Sequence, residues 1–141
     1  MRIHNRFFLA SVILAVAVLV AAFAISAFAA SPLKITNCNT AASRPKLLTL
    51  TCGDGNTVLK GLSWSTFGGS SAQAKGTFVM NTCEPDCAAG RDVSFPVTVK
   101  ATSPRTCKKG VRVYNKLTLR FTGRAPKSAG SLKNWTLGCP T

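Results

Sequence analysis

Six cysteines constrain this chain more than any other feature, because all of them, Cys38, Cys52, Cys83, Cys87, Cys107 and Cys139, follow an apolar leader. Arg2 and Arg6 precede the run Phe7 to Ala24, which is apolar apart from Ser11, and Ala27-Phe28-Ala29 then offers a small-residue cleavage site. This order of charge, apolar stretch and A-x-A site predicts a secretory signal over residues 1–29, cut after Ala29. The competing reading is an uncleaved anchor, since the apolar run approaches the ~20 residues that cross a bilayer. Residues 30–141 are then expected to form a single secreted disulfide-rich β-domain. An even cysteine count in a short exported chain implies three disulfides, and the sequence leaves all their possible pairings open.

The strand signals are consistent with that size. Lys46 to Cys52 is rich in strand formers and ends at Gly53-Asp54-Gly55-Asn56, a turn cluster, so a hairpin with Thr57 to Phe67 is expected. Gly68 to Ala72 reads as a flexible loop and lacks the Gly-Lys-Ser/Thr ending of a phosphate cradle. Thr77 to Met80 resumes an extended pattern. In Val93 to Lys100 the odd positions are apolar, with Pro96 on the other side; a residue without an N–H predicts an edge or bulged strand. In Val111 to Thr122 the odd positions are apolar except Asn115, which places Arg112, Tyr114, Lys116, Thr118 and Arg120 together on the opposite face. Lys133 to Cys139 reads as a short last strand, and Trp64 and Trp135 as core or half-core residues. The expectation is an all-β fold, a small antiparallel β-sandwich or barrel of about six or seven short strands stabilised by disulfides.

Chemistry is narrowed by what the residues lack. The one histidine of the chain, His4, lies in the leader, so histidine-based nucleophilic dyads, general bases and zinc sites fall away in the mature part. A zinc site of cysteines alone would need free thiols, which an oxidising compartment disfavours. Glu84 and Asp86 could in principle act as a glycosidase pair, but their spacing in a cysteine-bounded loop leaves them exposed and ordinary. Asp54-Gly55-Asn56 is a turn, because the other ligands of a calcium loop are missing. The spacing Cys83-x-x-x-Cys87 differs from the Cys-x-x-Cys of redox motifs, and CEPDCAAG is read as a stapled corner. Asn134-Trp135-Thr136 fits a glycosylation acceptor pattern, which has meaning only in a eukaryotic secretory route. No catalytic residue, metal site or cofactor is assigned.

Charge supplies the functional expectation. The chain has 18 Lys+Arg and 4 Asp+Glu; with Arg2 and Arg6 in the leader, 16 cations face 4 acids in the mature part. The acids are Asp54, Glu84, Asp86 and Asp92, so the segment after Asp92 carries cations only. Such a field attracts anionic polymers, membrane surfaces or acidic proteins. The sequence therefore points to a secreted non-enzymatic protein that binds an anionic cell-envelope or extracellular partner through Arg112, Tyr114, Lys116 and Arg120. A disulfide-held protease inhibitor or interaction module is the alternative, with Arg105 and Lys108-Lys109 beside Cys107 as its basic loop. Nucleic acid is disfavoured, since no nucleic-acid-binding motif is present.

Order and spacing also resemble a group of small exported actinobacterial proteins. The resemblance rests on Cys52-Gly53-Asp54-Gly55-Asn56, Leu62-Ser63-Trp64, the Gly-rich loop with Ala72 and Gly76, and Cys83-x-Pro85-x-Cys87-Ala88-x-Gly90. Pro96-Val97-x-Val99, Cys107, Tyr114 and Leu117 continue it, so that it covers most of residues 50–120. It implies export and a disulfide-rich β-domain, and carries no activity with it.

Overall fold

The computed structural model describes residues 31–141, so the expected signal segment, its expected cleavage site and the alternative anchor lie outside the described residues. Eight strands follow in order: β1 (Lys34–Asn37), β2 (Thr40–Ala42), β3 (Leu47–Thr49), β4 (Thr57–Thr66), β5 (Ala72–Asn81), β6 (Asp92–Thr106), β7 (Arg112–Phe121) and β8 (Asn134–Thr136). A 3-10 turn, Lys108–Gly110, links β6 to β7. The fold is all-β and disulfide-stabilised. All eight strands belong to one sheet in the order β2-β1-β7-β6-β5-β4-β3, with β8 beside β7.

The central meander β4-β5-β6-β7 is antiparallel and local, as the hairpin signals require. The expectation of a purely antiparallel sheet is corrected at one seam: β1 runs parallel to β7, pairing Lys34 with Val113 and Ile35 with Tyr114. Residues 31–42 carry no strong period, and so β1 and β2 escaped the sequence reading.

Pro96 also corrects an expectation, since β6 is central and pairs with both neighbours. In a strand the N–H and C=O of one residue point to the same neighbour. The Pro96 carbonyl accepts from Thr122 N at 3.0 Å, one residue past the end of β7. The missing donor therefore faces the place where the β7 ladder is already stopping, and the β5 ladder loses nothing.

The sheet curls until its two margins share one core. Ile35 of β1 and Leu48 of β3, from opposite ends of the strand order, join Leu59, Phe78, Phe95, Val97, Val99, Leu117 and Leu119 in a single buried cluster. Asn37 Oδ1 accepts from Thr49 N at 2.9 Å, and the Cys38–Cys52 disulfide ties the same two margins. A bulge in β4 helps the curl: Gly61, at φ 63, is the extra residue between Lys60 and Ser63. Opposite it, Gly76 leaves room for Leu62, whose Cδ2 would lie 2.8 Å from an added Cβ.

The remaining disulfides are Cys83–Cys87 and Cys107–Cys139. The first closes the corner between β5 and β6; the second fastens the C-terminal segment to the β6–β7 turn. Three disulfides fit an extracellular or otherwise oxidising environment. No helix among the described residues is long and apolar enough to cross a membrane.

Candidate functional site: the outer sheet face

The predicted basic strip on β7 is broken in two. Tyr114 is 0% exposed and belongs to the core cluster with Leu117 and Leu119, so the inward side changes between positions 114 and 117. The change coincides with a kink in β6 at Ser103, which has φ 56 and falls, like Asn115, between the paired Thr102–Lys116 and Pro104–Tyr114. Tyr114 is thus corrected from a surface ring to an internal tie. Its hydroxyl donates to Gly69 O at 2.9 Å and accepts from Gly68 N at 3.0 Å, which fastens the Gly-rich β4–β5 loop to β7. The ring meets Phe67 edge-on, and Phe67 meets Trp64 in the same way.

Arg112 lies before the kink, on the same side of β7 as Tyr114, and so leaves the strip as well. It is half-buried, donates to Ser31 O at 3.4 Å, and lines a small hollow of about 220 Å³ with Lys34 and Lys109. Lys116 and Arg120 do project outward as expected, with Thr118 between them.

Their real neighbours come from other strands, which periodicity along one strand does not reveal. The ladder aligns Ser63, Lys75, Thr98 and Arg120 in one row across β4 to β7. The next row holds Gln73, Lys100, Thr118 and Asn134, and a third holds Thr102, Lys116 and Thr136. On the other side of the first row stands Leu47, Lys60, Thr77 and Pro96. Each cation is flanked across the ladder by neutral groups, an arrangement that avoids the destabilising like-charge pairs of adjacent strands. No carboxylate stands in these four rows. The middle of the face is hollowed, about 400 Å³ lined by Lys75, Thr98, Lys100, Thr118 and Arg120 among others.

The acids sit elsewhere. Asp54 lies in the β3–β4 turn, Glu84 and Asp86 in the β5–β6 corner, and Asp92 at the start of β6. Asp54 is a turn former: its carboxylate accepts from Asn56 N at 3.1 Å and from Asn56 Nδ2 at 3.0 Å. The Asn56 backbone N–H first, then the Thr51 hydroxyl and after it the Asn56 side chain, hold its pKa below the usual carboxylate value. Asp86 Oδ1 accepts from Ala89 N at 2.8 Å, a structural bond inside the corner.

The corner is organised by Asn81, whose Oδ1 accepts from Cys83 N at 2.8 Å and whose Nδ2 donates to Cys87 O at 3.3 Å. CEPDCAAG is therefore a locally closed staple, with Cys83 bonded to Cys87. Arg105 lies within β6, paired with Val113, and Lys109 occupies a tight turn at φ 59. Among the described residues no group of three or more His, Cys, Asp or Glu gathers as a metal site. No protein family, curated protein or solved structure matches the chain.

Proposed function

We propose that this chain is a secreted, non-enzymatic binding module that associates with an anionic partner of the cell envelope or extracellular space through the outer face of β4 to β7. The observation that carries the reading is the four-row lattice of Lys60, Lys75, Lys100, Lys116 and Arg120 among Ser, Thr, Gln and Asn side chains. Five exposed cations without a carboxylate among them create a positive potential that extends about 8 Å at physiological salt. The hydroxyls and amides between them add hydrogen-bonding capacity that a plain charged surface lacks. Export through the leader and the resemblance to small actinobacterial exported proteins are consistent with an envelope partner.

The test is retention of the mature protein on anionic envelope polymer or anionic vesicles at low salt, with elution as salt is raised. Charge reversal at Lys75, Lys100 and Arg120 together should abolish retention while the thermal transition is preserved. Retention that survives this reversal, or is missing from the wild type, overturns the proposal.

A further inference from the structure

The register of the sheet contains a pattern that no single strand shows. Lys60 on β4, Lys75 on β5, Lys100 on β6 and Lys116 on β7 each stand one strand over and one row along from the one before. Adjacent strands lie ~4.8 Å apart and same-face residues ~6.6 Å apart, so each diagonal step is about 8 Å and the four lysines span about 25 Å. All four are exposed, and the middle two line the hollow of the outer face. Beside each lysine stands at least one hydroxyl: Thr77 next to Lys60, Ser63 and Thr98 next to Lys75, Thr118 next to Lys100, Thr102 and Thr136 next to Lys116.

We infer that this diagonal is the track of an extended acidic polysaccharide in which carboxylated sugars alternate with neutral ones. The inference rests on the proposed function of the face and adds the direction and class of the occupant. Three features select that class. The charges are separated by roughly the length of one disaccharide, and the flexible four-carbon lysine stems absorb the remaining difference. The intervening Ser, Thr and Gln side chains are donors and acceptors suited to sugar hydroxyls. The stripe carries no aromatic ring on which nucleobases could stack, unlike the platforms of single-stranded nucleic-acid binders. Arg120, off the diagonal and opposite Thr98, widens the track at its centre.

The experiment uses hyaluronan oligosaccharides of increasing length as the alternating probe, polygalacturonate as a probe charged on every sugar, and chitin oligosaccharides as the neutral one. Affinity for the alternating probe should rise with length until four carboxylates are present and then level, and the neutral probe should not bind. Each single Lys→Gln on the diagonal should weaken binding roughly 2- to 5-fold, the yield of one exposed ion pair. The decisive variant is the double exchange Thr98→Lys with Lys100→Thr, which keeps net charge but moves one cation off the diagonal. It should weaken the alternating probe several-fold, with the thermal transition serving as a check on folding. If a folded double exchange binds as well as wild type, if the alternating probe fails to bind wild type, or if polygalacturonate binds better than the alternating probe, the track is wrong while the basic face stands as a site. If none of the three charged or neutral probes binds and anionic envelope polymer also fails, the face itself is wrong.

Discussion

Gly90 shows how a single residue can hold an entire corner. A Cβ there would overlap Asn81 Oδ1 and approach Cys83 N at 2.8 Å and Asp86 O at 3.0 Å, all of which are fixed parts of the staple. Gly90→Ala should therefore destabilise the protein by about 1–3 kcal/mol, as overpacking does, whereas Gly53→Ala, with open space around it, should change the denaturation midpoint little. Tyr114→Phe removes a hydroxyl that serves two backbone groups, and urea unfolding should register a loss of about 1–2 kcal/mol. Had Tyr114 been a surface contact, the same change would alter binding and leave stability alone. Asp54 gives a pH prediction: its folded pKa is depressed, so its contribution is present above the ordinary carboxylate range and is lost as pH falls through the lowered value. In an NMR titration of the folded protein, the Asp54 carboxyl should titrate below that of an unstructured aspartate, and Asn56→Ala, which keeps the backbone N–H, should bring it only part of the way back up.

At the scale of elements, the readable parts are those fixed by neighbours in sequence. The β3–β4 hairpin follows from Gly53-Asp54-Gly55-Asn56, and the inward side of β6 from Phe95, Val97 and Val99. What alternation could not reveal is a change of side within a strand: Asn115 interrupts the apolar series, but only the kink at Ser103 tells that Tyr114 turns inward. The lattice of cations was equally hidden, because it depends on register between strands and not on spacing within one. The cysteines mark a stapled fold, yet their partners depend on the curl that brings β1 beside β3. Closed-loop length orders the three bridges: separations of 4, 14 and 32 residues correspond to about 2, 3 and 4 kcal/mol by chain entropy. Paired Cys→Ser replacement should follow that order in urea midpoints, with loss of Cys83–Cys87 loosening the corner while leaving the sheet intact by hydrogen exchange.

At the scale of the whole molecule, the carboxylates of the described residues lie in turns or at the start of β6 and none stands on the outer face of β4 to β7, which carries cations only. Because the face consists of exposed side chains on a rigid meander, little ordering should accompany association, and the rate of binding should fall steeply with ionic strength. Stopped-flow association of a labelled polyanion, measured over a salt series, should show that fall for wild type and a shallower one after reversal of Lys75, Lys100 and Arg120. The parallel seam has a further consequence for how the chain is made. Among the described residues β1 is the first strand to leave the ribosome, but the partner that seats it, β7, begins at Arg112, close to the end of the chain. The meander can zip from neighbouring hairpins, while β1 must wait until the long-range contact exists. A nascent chain of this design therefore completes its core only when almost all of it has been synthesised, with β1 among the last of the described strands to be seated.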